Sequence, residues 1–267
     1  MAVKQSKSGT NLNTNKMALI ESMERSGNWL FRWRSFLPLV LYALAVPVAL
    51  WMPDGWSPDF QSTGWWAGCL AVSFLGLVVR ALTIGFTPRG TSGRNTSEGQ
   101  VAETLNTRGV YGMVRHPLYL GNYFMWVGIV LFVGNQWFTL VVSLLFWVYY
   151  ERIMFAEEAF LRRKFGTAYL DWSQKTPAFF PRFSGWVAPG VQFAFRNVLK
   201  REYNGFFAVF ISFALVDAVH LYRSAGELGL SSHWVYLTAG ASGIFLMLRT
   251  LKKRTRLLDV DGREYIA

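Results

Sequence analysis

The sequence predicts an all-α, polytopic membrane helical bundle of about six transmembrane helices, the fourth extended into the cytoplasm. Three observations carry this. Hydrophobic residues make up 52% of the chain and charged residues only 16%, against about 25% charged in an ordinary soluble domain. The apolar residues are gathered in continuous runs without strand-like alternation. All the Lys and Arg residues except Arg223 fall on one side once six spans are drawn through those runs. The apolar content excludes a disordered chain, and the single cysteine, Cys69, excludes a disulfide scaffold.

The six runs cover 36–52, 64–86, 118–134, 137–156, 205–222 and 233–248. The first and third are short for a span, which takes about 20 residues. A polar segment precedes the first run, so no cleavable signal peptide is expected. The basic residues place both termini in the cytoplasm, of a bacterial inner membrane or one resembling the endoplasmic reticulum. They also account for the net charge of +11 as positive-inside bias and headgroup contact rather than nucleic-acid binding. The chain divides into a cytoplasmic arm (1–35), two spans with a loop (36–106), spans three and four with a cytoplasmic extension (107–183), and an amphipathic segment, two spans and a basic tail (184–267).

Two cytoplasmic stretches are too long to be turns. The first, 87–115, is rich in Gly, Thr and Ser and predicts a short helix over 98–105 capped by Ser97. The second, 151–201, is charged and aromatic and includes a segment, 191–200, with the pattern of a membrane-surface helix.

Two clusters have the composition of a site. Arg115-His116-Pro117-Leu118-Tyr119-Leu120-Gly121-Asn122 opens span three. Pro117 suits the first helical turn and keeps His116 out of helical conformation, at or beside the N-cap. Free N–H groups there attract a carboxylate or phosphate, Arg115 adds a planar fork of donors, and Gly121 lets a ligand or a neighbouring helix come close. A capped span with an anchoring Arg and Tyr has the same appearance. The second cluster continues span four: Glu157-Glu158, Leu161, Phe165-Gly166, Tyr169, Trp172, Pro177 and Pro181. Glu158, Leu161 and Phe165 share one stripe, and a plain Glu158–Arg162 pair would also explain the acid. Within span five, Asp217 and His220 share a face; a structural pair is favoured over a catalytic role. Gly64 and Gly68 fit a small-xxx-small helix contact.

Taken together, Gly109-Val110-Tyr111, the Arg115–Gly121 run and the Glu157-to-Pro181 series resemble the isoprenylcysteine carboxyl methyltransferase and phospholipid methyltransferase superfamily of membrane enzymes. The resemblance implies a pocket for S-adenosylmethionine between the start of span three and the extension of span four. By that resemblance Tyr111, His116, Leu118, Tyr119, Gly121, Glu157, Glu158 and Tyr169 bind the donor. Arg115 and Glu158 serve the chemistry, Arg115 near the methyl acceptor. The acceptor is expected to be a membrane lipid or lipophilic molecule, with an anionic oxygen favoured over an amine because no spare base is evident. Arg89, Arg94 and Arg108 are candidates for its headgroup, or simply for anchoring the loop. No metal site is expected, because the three histidines are far apart. The alternatives are an NADPH-dependent sterol or enone reductase, which carries a similar Arg-His-Pro run, and a transporter or scaffold.

Overall fold

The structure, a computed structural model, describes residues 18–34, 36–51, 59–88, 91, 94–96 and 99–260. The described chain is an all-α bundle with one small hairpin. In order it forms α1 (Leu19–Trp33), α2 (Leu37–Leu50), α3 (Thr63–Gly85), β1 (Arg94–Thr96), β2 (Gly99–Val101), α4 (Val110–Met113) and α5 (Pro117–Phe132). There follow α6 (Gln136–Phe165), α7 (Thr167–Lys175), a 3-10 turn (Phe183–Gly185), α8 (Phe195–Ala225) and α9 (Ser232–Arg254). By length and composition α3, α6, α8 and α9 are able to cross a membrane; α2 and α5 are apolar but shorter.

The core follows from these apolar faces. Phe132, Val133, Val209, Phe213 and Trp234 are essentially inaccessible and bring α5, α8 and α9 together. Helices α3 and α5 cross closely because small residues face one another: Ser73 Oγ donates to the Met125 carbonyl at 2.9 Å, and Gly128 lies against Ser73 and Cys69. At this crossing small residues replace the apolar bulk that would otherwise hold the backbones apart. Gly68 has open space around it and Gly64 only its neighbour Ser62, so no helix contact through that pair is made among the described residues.

Helix α6 positions the site. Its 30 residues rise about 45 Å, half as long again as a hydrocarbon core of about 30 Å. Asn135 caps its start by accepting from the Phe138 amide at 2.9 Å, and Glu157-Glu158 lie in its last third. Gly166, at φ 54°, ends the helix in a conformation that L side chains resist and turns α7 back.

Three expectations are corrected. The helix expected over 98–105 is replaced by the antiparallel β1–β2 hairpin, with Asn95 opposite Gln100, and by irregular chain over 102–105. Ser97 and Glu98 lie outside the described residues. The stretch has no apolar stripe to bury, so nothing stabilises a helix there. The segment 191–200 is not a separate surface helix. Its first four residues are non-helical, and from Phe195 it runs unbroken into span five as α8, since no helix breaker intervenes. Asp217 and His220 are both buried but bond elsewhere. Asp217 accepts from Ser231 N (2.7 Å) and Oγ (2.8 Å), tying the α8–α9 turn. His220 stacks on Phe60 with ring centroids 3.5 Å apart. Both roles are structural.

Candidate active site

The start of α5 has the geometry that its sequence dictates. His116 is the N-cap and Pro117 occupies the first turn. The loop after α7 zips against the segment before α5: Arg115 N donates to the Pro177 carbonyl (2.9 Å), Arg182 N to that of Met113 (3.0 Å) and Gly109 N to that of Val187 (2.8 Å). Trp172 Nε1 donates to the Tyr111 carbonyl at 3.1 Å and fixes α7 over α4. Four stretches distant in sequence thus converge on the end of α6.

There the two clusters meet. Glu158 accepts from Arg115 Nη1 at 2.9 Å through one oxygen, and its other oxygen lies 2.8 Å from His116 Nε2. Glu157 accepts from the Tyr119 hydroxyl at 3.0 Å and stands 3.7 Å from His116 Nδ1. The His116 and Tyr119 rings stack, with centroids 5.7 Å apart. Glu158 pairs across the site with Arg115; the contacts it makes are not those of a solvent-facing i,i+4 pair. Burial alone lifts its carboxyl, but the His116 hydrogen bond and the charges of His116 and Arg115 outweigh this and hold it below the ordinary carboxylate value. Burial first, and then the negative charges of Glu158 and Glu157 respectively, push the phenols of Tyr169 and Tyr111 above their ordinary value. Both stay protonated at neutral pH, so each hydroxyl keeps a proton to donate.

Three cavities adjoin this cluster. The first, about 50 Å³, lies under α7 and the 102–106 segment. Tyr111, His116, Glu157, Glu158 and Tyr169 face it, together with Thr104 and Asn106. Thr104 Oγ1 is buried here without a hydrogen-bond partner among the described residues, and the Tyr169 hydroxyl lies against Glu158 and Arg115, so the walls are polar. The second, about 250 Å³, is a polar chamber under the start of α5, bordered by Leu118, Tyr119, Asn122 and Tyr150 and by arginines from three other elements. The third, about 230 Å³, is walled by Phe146, Trp147, Met154, Phe155 and Phe179. Arg115 borders all three. Together the first two approach the lower end of the roughly 300–1,000 Å³ usual for small-molecule sites.

Residues 66–168 match the phospholipid methyltransferase family. The matched stretch runs from α3 to the first residues of α7 and includes every member of the Arg115–His116–Glu157–Glu158 cluster. The chain is 38% identical over 78 residues to the protein-S-isoprenylcysteine O-methyltransferase of Schizosaccharomyces pombe, which covers 29% of this chain and 33% of that protein. It is 31% identical over 152 residues to the nickel-cobalt-cadmium resistance protein NccN of Alcaligenes xylosoxydans, covering 57% of this chain and 64% of the relative. A similar match, 31% over 152 residues, is made to the cobalt-zinc-cadmium resistance protein CzcN of Cupriavidus metallidurans, covering 57% of this chain and 63% of that protein. The chain thus spans less than two-thirds of the length of these relatives. No solved structure matches significantly.

Of the sequence-predicted site residues, the structure brings Tyr111, Arg115, His116, Leu118, Tyr119, Glu157, Glu158 and Tyr169 to the first two cavities. Gly121 is corrected: it lies against Gly76 and Arg80 of α3, and a side chain there would strike the Arg80 stem. Its smallness serves helix packing. Arg108 borders none of the three cavities, Arg89 lies outside the described residues, and of Arg94 only its backbone, in β1, is described. Sequence reasoning missed Thr104, Asn106, Asn122, Tyr150, Arg34, Arg80 and Arg201. Arg80 did carry a signal: it stands six residues inside a predicted span, where an ionisable group is costly.

Proposed function

We propose that the protein is an integral membrane methyltransferase that uses S-adenosylmethionine to methylate an anionic oxygen on a membrane lipid or lipophilic acceptor. The observation that carries this is the position of Arg115, at the junction of a small polar cavity, a cation-lined chamber and an apolar recess. A zwitterionic donor with hydroxyls suits the first two cavities taken together. His116, Glu157, Glu158, Tyr111 and Tyr169 supply both signs of charge and fixed hydrogen bonds, and Trp172 and Phe160 supply flat apolar surface. Adenosylmethionine provides a methyl group on a sulfonium, and the acceptor oxygen must approach to about 3–3.5 Å in line. As the new O–C bond forms the S–C bond breaks, and the donor leaves as a neutral thioether. A phosphate or carboxylate oxygen needs no proton removed, which fits a site whose phenols are held protonated and whose Glu158 is occupied by Arg115 and His116. The apolar recess would take the acceptor's hydrocarbon part.

Isothermal titration in detergent tests the donor: the wild type is expected to bind adenosylmethionine, and His116→Ala and Glu158→Ala each to weaken binding about tenfold or more, each losing a charge-assisted contact. A wild type that does not bind overturns the reading. One observation favours a second reading. The arginine-lined chamber is also what the 2′-phosphate of NADPH would require, so a thermal shift with NADPH and none with adenosylmethionine would return the protein to the reductase class. The match to the phospholipid methyltransferase family supports the methyl-donor reading over the reductase.

A further inference from the structure

Helix α1 lies outside the stretch that matches the family, residues 66–168, yet its end walls both polar cavities. Gly27, Leu30, Phe31 and the C-cap Arg34 fall three and four residues apart and so share one face. Gly27 brings that face into backbone contact with α6: a Cβ there would stand 2.0 Å from the Arg152 carbonyl oxygen. The Tyr149 hydroxyl donates to the Leu30 carbonyl at 3.0 Å, and Arg163 donates to Glu24 at 2.6 Å. Phe31, buried by this packing, borders the first cavity beside Phe160 and Trp172, and Arg34 borders the chamber. The Arg34 guanidinium lies over the Phe31 ring, 4.0 Å from its centroid, a cation–π contact that seats it.

The arginines around the chamber are not equivalent. Glu202 grips Arg80 through two bonds of 2.6 and 2.7 Å, Glu158 holds Arg115 at 2.9 Å, and Arg201 has a contact of its own. Arg34 meets no carboxylate among the described residues. Glu157, on the wall of both cavities, meets no Arg or Lys among them. A cation and a carboxylate on the chamber wall are thus both left to meet a zwitterion.

We infer that Arg34 is a donor-binding residue: in the chamber it takes the amino-acid carboxylate of adenosylmethionine, with Glu157 on the ammonium, and the rest of the donor runs on towards the first cavity. The inference rests on the methyl-donor reading and gives the donor its direction. The two cavities share Tyr111, Arg115, His116 and Glu157, so one molecule can pass through both. The flat apolar rings of Phe31, Phe160 and Trp172 border the first and the arginines the second, which sets the amino-acid end in the chamber. An arginine fork matches a carboxylate with two parallel bonds. Helix α1 thereby completes the donor site from beyond the matched stretch.

The test uses the full chain in detergent, titrated calorimetrically with adenosylmethionine and with its decarboxylated analogue. The wild type is expected to bind adenosylmethionine at least tenfold more tightly than the analogue. Arg34→Gln is expected to weaken adenosylmethionine about tenfold and to leave the analogue within about twofold, which also shows that the variant is folded; Arg34→Lys keeps part of the preference. Arg32→Gln, the same loss of charge on the exposed side of α1, is expected to leave both affinities within about twofold. Equal binding of the two ligands by the wild type, an Arg34→Gln variant that loses both alike or neither, or an equal effect of Arg32→Gln overturns the assignment of Arg34 and leaves the methyl-donor reading standing. A wild type that binds neither ligand overturns that reading and the assignment with it.

Discussion

Glu158 concentrates the residue-scale argument. One carboxylate holds both Arg115 and His116, and its two oxygens are shared so that each partner's orientation depends on the other. Because the native carboxyl is held below its ordinary value, the stability it contributes is fully present above the unfolded value of about 4.3 and is lost as pH falls through the lower native one. The difference in melting temperature between wild type and Glu158→Gln is therefore expected to shrink on acidification below about pH 4.3. A difference that grows there would mean the pairing is absent. This residue and its neighbours were legible beforehand because their chemistry is local: a His-Pro step sets a helix start, and a pair of acids at the end of an apolar run marks where the helix meets polar partners. Thr104 and Asn106 were not legible, since a short polar stretch takes its place only from what packs on it.

At the scale of elements, the α3–α5 crossing decides where the helix start points. Gly121→Ala forces a methyl group against Arg80 and the Gly76 carbonyl, and is expected to cost about 1–3 kcal/mol by overpacking, seen as a lower melting temperature in detergent. Gly68→Ala, with open space around it, is expected to be neutral or slightly stabilising by helix propensity. Equal effects at the two positions would sink the packing assignment. The spans and the extension of α6 could be read from runs of apolar residues and from the reappearance of charge from Glu151 onward. Which small residues touch could not: Gly64, Gly68, Gly76 and Gly121 are alike in sequence, and only the crossing tells them apart. The β1–β2 hairpin escaped for the opposite reason, having neither an apolar stripe nor alternation.

At the scale of the whole molecule, the orientation expected from the basic residues remains a proposal that labelling can check. Cys69 is buried, so single cysteines can be introduced at exposed Gln136, beside the α5–α6 turn, and exposed Lys253, after the last apolar stretch of α9. A membrane-impermeant thiol reagent on intact cells is expected to label Gln136→Cys, and Lys253→Cys only after permeabilisation. The reverse pattern would move the site to the other face. The C-terminal pair α8–α9 read in sequence as an addition to a common core; the two Arg80–Glu202 bonds, at 2.6 and 2.7 Å, tie it to α3. A chimaera grafting a foreign tail after Ala194 would leave the largely buried Arg80 guanidinium without its carboxylate unless the graft brought its own acid at the level of Glu202, so the tail and the third helix must be inherited, or exchanged, as a matched set.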